Sequence, residues 1–398
     1  MAIYTGGGSS HSWLWFAELC EKAGWPELRF LDQLDIRRGG LTGQEVLAVS
    51  GGDTFGMAAA LGPRGAAALR RFISDGGLYL GACAGAYLPL RSSKEPLNLF
   101  NFVEARINNL TNLLPPAQLL PEKFCSTYGC AYVYHPVREA VALRAADRGA
   151  FAGEEVFEAP LYGGPALVPG SPEQVLARYE AFTPRTLFLV EQGLATETLL
   201  GHAAVLRAPL GRGWMYLFGP HFEHPHYARA NQILCQVIED HLPAIRQNPD
   251  PTAASAAPEA CRSWLRDLKR EVSNVRIVAL GLEDHPVRWL LGKKVYEPAK
   301  LRVFAEAVWP RLVRLEREGR AVLPPDGGRG LVELWRSVTR RVRSLRQLLD
   351  QEEDTLDLAR GLFPDLNQAA SRFMTTYFAT LAAGRPHEAR PREKEAAA

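Results

Sequence analysis

Cys83 closes an apolar run, Leu78-Tyr79-Leu80-Gly81-Ala82, and Ala84-Gly85-Ala86-Tyr87-Leu88 follows it. A strand that stops at a reactive side chain and turns sharply into a helix is a nucleophile elbow. The turn is crowded, and Gly81, Ala82, Ala84 and Gly85 supply the small side chains it demands. A buried structural cysteine in a tight strand-to-helix turn reads the same way, because free cysteine is among the most buried residue types. A thiol reacts as its thiolate, and with an ordinary pKa of about 8.5 it needs a base or a cation beside it.

The candidate partner lies far downstream. Gly213-Trp214-Met215-Tyr216-Leu217-Phe218 reads as a buried strand and runs into Gly219-Pro220-His221-Phe222-Glu223-His224-Pro225-His226. His221 could serve as the base, and Glu223 could orient the imidazole and stabilise its cationic form. In an extended segment, residues two apart point to the same side. Two other readings stay open: His221, His224 and His226 as metal ligands, or as ordinary loop histidines.

With these residues in view, the chain resembles the class I glutamine amidotransferase-like superfamily. More narrowly, it resembles the N-terminal domain of eukaryotic biotin-protein ligases and its free-standing bacterial relatives. The matching pieces, in order, are Ala2-Ile3-Tyr4-Thr5-Gly6-Gly7-Gly8, Val49-Ser50-Gly51-Gly52-Asp53-Thr54-Phe55, Gly76-Gly77 through Leu88, Leu161-Tyr162-Gly163-Gly164-Pro165 and Phe218 through Glu223. The resemblance covers roughly the first 245 residues. It implies a flavodoxin-like α/β fold with Cys83 as nucleophile, His221 as base and Glu223 as orienting acid. It also implies an oxyanion hole made by the N–H groups of Ala84 and Gly52. Gly51, Asp53, Tyr87, Tyr162, Gly163 and Gly164 would line the substrate site. Read from the residues alone, Gly51-Gly52-Asp53-Thr54 is equally a turn and a helix N-cap, and Tyr162 through Pro165 is a hairpin turn.

Two departures matter. Glutamine-using members of the superfamily usually carry Gln four residues after the nucleophile, where this chain has Tyr87. Pro220-His221-Phe222-Glu223 replaces the usual Phe-His-Pro-Glu but keeps the His-to-Glu spacing. The biotin-ligase catalytic half is not expected. Asp326-Gly327-Gly328-Arg329-Gly330 is glycine-rich but lies outside any biotin- and ATP-binding context.

The elements that must position these residues follow from periodicity. The first 95 residues alternate apolar strands (Ala2–Thr5, Leu28–Leu31, Val46–Val49) with amphipathic helices (Trp13–Gly24, started near Ser10 or Ser12, and Gly65–Ser74), the signature of a parallel sheet with crossover helices. Ligands of such sheets bind beyond the carboxyl ends of the strands, where Gly6–Gly8, Gly51-Gly52 and Cys83 would gather. Residues 96–128 read as an irregular insertion at the rim. Strands are expected at Ala131–Tyr134, Val156–Leu161, Val175–Phe182, Leu187–Val190 and His202–Leu206, and a helix from about Arg229, Asn231 and Gln232 to His241. Residues 246–258, rich in Pro, Ala and Ser, read as a linker. Residues 259–385 read as a largely helical domain of no recognised family. There, Leu331, Trp335, Val338, Val342, Leu345 and Leu349 form an a/d seam. Arg336, Arg340, Arg341, Arg343 and Arg346 decorate the same helix, either as a phosphate- or RNA-binding face or as a solvated face paired with Glu352, Glu353 and Asp354. The solvated face is the reading adopted. Residues 386–398 read as a disordered tail.

Composition narrows the function classes. The 398 residues are 47% hydrophobic, with a net charge of +2. That balance gives no reason to expect nucleic acid or a membrane as partner. Six cysteines in a chain this long make no disulfide framework, and Cys125 and Cys130 have no second pair at zinc-site spacing. No metal and no cofactor is expected. No basic start with an apolar core opens the chain, and no apolar run reaches bilayer-spanning length, so a cytoplasmic location is the expectation. Three functions remain. One is a cysteine-dependent amidase or amidotransferase acting on a small-molecule amide. Another is a ligand-binding or regulatory module whose helical domain docks a protein partner. The third is a cysteine peptidase. No G-x-x-x-x-G-K-[ST] phosphate loop is present for an acceptor-activating step.

Overall fold

The computed structural model describes residues 1–108, 135–153, 155–242, 259–319, 321–322 and 328–383. The expected strand Ala131–Tyr134, most of the rim insertion, the linker, the tail, Cys125 and Cys130 lie outside the described residues.

Short apolar runs build the centre. Strands β1 (Ala2–Tyr4), β2 (Arg29–Leu31), β3 (Val46–Val49) and β4 (Leu78–Ala82) are parallel to one another. Every residue of β1, β3 and β4 is buried, as expected where helices cover both faces of a parallel sheet. The chain then adds β5 (Arg106–Ile107), β6 (Val137–Ala145), β7 (Val156–Leu161), β8 (Leu167–Val168), β9 (Val175–Phe182), β10 (Leu187–Phe188), β11 (Ala203–Leu210) and β12 (Gly213–Phe218). β12 returns parallel to β4, which gives the order β2-β1-β3-β4-β12. This is the flavodoxin-like arrangement, with its topological switch between β1 and β3. Beyond β12 the sheet turns antiparallel through β11, β9 and β6.

Helix α1 (Trp13–Lys22) covers one face of this sheet, α2 (Gln33–Arg37) packs against α3 (Thr54–Ser74), and α3 covers the opposite face. The expected helix at Gly65–Ser74 starts earlier than periodicity implied: α3 runs from Thr54 through a kink at Gly62-Pro63, where Gly62 takes φ +56°. The apolar pattern breaks at that kink, which hid the first turns. Short α4 (Ala84–Tyr87) follows Cys83, α5 (Gln192–Leu199) precedes β11, and α6 (Ala228–His241) closes the α/β region.

Helices α7 (Glu259–Leu280), α8 (Ala299–Glu318), α9 (Arg329–Asp350) and α10 (Leu356–Ala383) make up the C-terminal region. Among the described residues, no helix is long and apolar enough to cross a membrane. The a/d seam of α9 is buried from Leu331 to Leu345 against α7 and α10. Its arginines pair with acids other than those expected. Arg336 meets Glu333 and Glu271, Arg341 meets Asp365, and Arg346 meets Asp350. Neighbouring helices and i, i+3 or i, i+4 geometry supply these partners, whereas Glu352, Glu353 and Asp354 follow the helix end.

This helical region shares one apolar core with the sheet face that carries α1. Phe30 of β2 meets Phe378 of α10, ring to ring at 5.7 Å. Polar contacts key the two parts together. The Trp13 indole donates to Asn367 Oδ1 at 2.7 Å, Thr5 Oγ1 and Ser371 Oγ lie 2.9 Å apart, and Arg311 pairs with Glu21 at 2.6 Å. The region also contains a hairpin that periodicity did not reveal, β13 (Trp289–Leu291) and β14 (Lys294–Tyr296). Gly292-Lys293 forms its two-residue loop, with Gly292 at φ +63°. Gly at the first loop position is the type II′ hairpin signal.

Candidate active site

β4 delivers Cys83 to the carboxyl edge of the sheet. The residue sits at φ +52°, ψ −110°, a left-handed backbone position that a side chain larger than glycine adopts only under constraint. The constraint is visible. Cys83 N donates to Phe218 O at 2.9 Å, and Gly85 packs so tightly beneath that a Cβ there would lie 1.9 Å from Val49 O. The elbow therefore holds Cys83 at one point. Only 7% of the residue is exposed, yet its side chain opens on a cavity rather than into the core. Ala84 opens α4, where the first N–H groups have no acceptor within the helix.

The loop after β12 brings the second group. His221 Nδ1 and Glu223 Oε1 lie 2.7 Å apart, both residues fully buried. Glu223 Oε1 also accepts from Ser50 Oγ at 2.7 Å, and Ser12 Oγ lies 2.9 Å from Ser50 Oγ. Ser12 starts α1 but does not cap it with its side chain; its hydroxyl joins this buried network instead. Burial by itself would push the His221 imidazole down. The charge of Glu223 and that of the Cys83 sulfur, with hydrogen bonding from both, outweigh it and raise the imidazole to about 10. A ring held as imidazolium beside a thiol is the setting a thiolate nucleophile requires.

The three histidines do not converge. His221 faces Glu223 and Cys83, while His224 meets the Trp15 ring edge-to-face at 4.5 Å and accepts from His226 N at 3.4 Å. Burial lowers His224 to about 4 and His135 to about 4, and pushes His11 well below the usual histidine range. Among the described residues, no three His, Cys, Asp or Glu side chains gather at metal distance.

A cavity of about 340 Å³ joins these parts. Of the residues expected at the site, Cys83, His221, Gly51, Gly52, Asp53, Ala84, Tyr87, Tyr162 and Gly163 line it. Glu223 lies behind His221, and Gly164 backs the turn, where a Cβ would meet Gly219 O at 1.7 Å. Gly51 makes room for the imidazole: a Cβ on it would stand 2.9 Å from His221 Cε1. Asp53 is occupied structurally. It caps α3 through Gly56 N at 3.1 Å and accepts Lys293 N from the hairpin at 2.8 Å. Tyr87 donates its hydroxyl to Gly163 O at 3.2 Å, which ties the phenol to the cavity wall.

Sequence reasoning missed several lining residues. Trp15 forms an aromatic wall, with its ring 5.2 Å from His221 and 6.2 Å from Tyr162. Arg138 lies over the Tyr162 ring at 5.6 Å, and Glu139 accepts the Tyr162 hydroxyl at 3.0 Å. The roof comes from the helical region: Lys293, Lys294, Val295, Glu297 and Lys300. The Leu291-Gly292-Lys293-Lys294 hairpin pattern could have revealed the turn, but nothing local says it folds over Cys83.

No family model matches the chain, and no curated protein does. Solved structures show distant likenesses. A Thermoplasma acidophilum protein, proposed to be a GMP synthase subunit, is 12% identical at TM-score 0.38, over 61% of this chain and 94% of that one. A β-galactosidase from Bacillus circulans sp. alkalophilus is 14% identical at TM-score 0.31, over 58% of this chain and 26% of that one. A cold-adapted β-galactosidase from Rahnella sp. R3 is 8% identical at TM-score 0.36, over 65% and 34%. Likenesses this distant say nothing of activity; the flavodoxin-like sheet rests on the strand order itself.

Proposed function

We propose that this protein is a cysteine-dependent amidase or amidotransferase-like enzyme whose triad is Cys83, His221 and Glu223. One observation carries the reading: a backbone-constrained cysteine at a strand-to-helix elbow shares a cavity with a buried imidazole bonded to a carboxylate at 2.7 Å. The Cys83 sulfur attacks a carboxamide carbonyl and forms a C–S bond. The N–H groups of Ala84 and Gly52 receive the developing oxyanion. His221 gives its proton to the departing nitrogen as the C–N bond breaks. The neutral imidazole then takes a proton from water, whose oxygen attacks the thioester and returns the thiolate. Glu223 positions the ring and stabilises its charge, and Ser50 holds Glu223 in place. Gly51, Gly163, Tyr87 and Tyr162 shape the substrate space.

The cavity volume and its roof favour a small amide over an extended peptide. The family-level likeness, to class I amidotransferase-like proteins and to biotin-ligase N-terminal domains, rests on the sequence motifs. The Tyr87–Gly163 bond favours a second reading, a ligand-binding module without turnover, because it occupies the glutamine-contact position.

One experiment separates them. Carboxamides are incubated with the protein, amine release is measured, and the intact mass is followed. The enzymatic reading expects amine release and a hydroxylamine-sensitive adduct on Cys83, both absent in Cys83→Ser. An unmodified Cys83 with no release across the panel sinks it and leaves the binding module.

A further inference from the structure

We infer that the substrate is a net-anionic amide, such as the monoamide of a dicarboxylic acid, whose carboxylate is held by Lys294 and Lys300 of the helical region. This rests on the amidase reading of the same cavity, but its physical basis is separate.

Besides His221, one arginine and three lysines line the cavity: Arg138, Lys293, Lys294 and Lys300. Its carboxylates are already committed. Asp53 accepts from Gly56 N and Lys293 N, Glu139 accepts from the Tyr162 hydroxyl, and Glu297 pairs with Arg288 at 3.4 Å. Among the described residues, neither the Lys294 nor the Lys300 ammonium has a carboxylate at salt-bridge distance. The Lys294 ammonium lies 5.8 Å from the Tyr296 ring. Both side chains are half-buried, so their charges are partly stripped of water without a fixed counter-ion.

Desolvation lowers both ammonium pKa values, and Arg138 adds to it; the Cys83 and Asp53 charges at Lys294, and those of Glu297 and Glu139 at Lys300, offset it only in part. An incoming carboxylate relieves this cost at both ammoniums, and a neutral amide does not. The placement also orders the substrate. Its amide end must reach Cys83 at the sheet edge, and its anionic end then points at the roof. The hairpin contributes Lys294 and the Asp53 tether, and Lys300 follows on α8, so the helical region completes the site.

The test uses Cys83→Ala protein, which cannot turn over, and calorimetric binding of glutarate, its dimethyl ester and inorganic phosphate. Glutarate is expected to bind, and the ester to bind about 10- to 100-fold more weakly, the range for a charged hydrogen bond. Adding Lys294→Gln and Lys300→Gln is expected to remove the preference for glutarate over the ester while the thermal melt stays cooperative. Equal binding of glutarate and ester by the Cys83→Ala protein overturns the inference without any lysine variant. So does phosphate binding tighter than glutarate. Because these readouts need no catalysis, a silent amide panel with glutarate selectivity intact would count against the triad alone. Turnover of neutral amides as fast as glutaramate would count against the anion clamp alone.

Discussion

Glu223→Gln is the perturbation that isolates electrostatics from shape. The side chain keeps its volume and can still hydrogen-bond His221 Nδ1 and Ser50 Oγ, each now 2.7 Å from Oε1. What disappears is the larger of the two charges that oppose burial at His221, the other being that of the Cys83 sulfur. The imidazole is raised from 6.5 to about 10, and each unit is worth about 1.4 kcal/mol, so the preference for imidazolium is on the order of 4–5 kcal/mol. Without the Glu223 charge, the Cys83 sulfur is left to oppose burial, and the imidazole pKa falls.

The sign for stability follows. A raised histidine contributes stability that is present below pH 6.5 and lost as pH rises through about 10. The wild-type protein should therefore lose stability over that window, and the variant should show a flatter profile there. The most direct assay is iodoacetamide alkylation of Cys83, read by mass spectrometry from pH 5 to 10, since it needs no substrate. Wild-type Cys83 is expected to react at pH 6. The variant should react about 100-fold more slowly there, because a less basic imidazole supports the thiolate less. If turnover is measured, the alkaline limb should move to lower pH. Superimposable alkylation profiles for the two proteins would refute the reasoning.

Further outcomes follow from single contacts. Cys83 should be alkylated well ahead of Cys20 and Cys235: burial raises both of those thiols, Cys235 to about 11, and peptide mapping reads the order. Gly51→Ala should displace the His221 ring and cut Cys83 alkylation at pH 6 at least tenfold, because its Cβ would stand 2.9 Å from Cε1 and 2.8 Å from Ser12 Oγ. An unchanged rate would show that the ring is not held against this glycine. Glu21→Ala leaves Arg311 buried without its carboxylate and should cost about 2–4 kcal/mol in urea unfolding. A loss below 0.5 kcal/mol would mean the pair does not secure the helical region.

Much of this architecture was legible in the chain. Apolar runs such as Val46–Val49 and Leu78–Ala82 are local signals, because a strand covered on both faces must be apolar throughout. The elbow was legible for a similar reason: a backbone this crowded tolerates only small neighbours, and Gly85 against Val49 O shows why. His221 and Glu223 were legible as a pair, but the extended segment expected there is a turn closed by His224 N on His221 O at 3.2 Å, and it is this turn that brings the carboxylate to the imidazole. The kink at Gly62-Pro63 and the arginine partners of α9 were not legible, since alternatives of similar local energy compete there and packing chooses between them.

Residue order alone determined which side chains could react and which strand ends would carry them, since periodicity and steric crowding act over a few neighbours. The tertiary structure alone decided what surrounds them. Ser50 reaches Glu223 across 173 positions, and Lys293 binds Asp53 across 240. No local pattern records such meetings, because burial and charge compensation arise only when distant segments exclude water together.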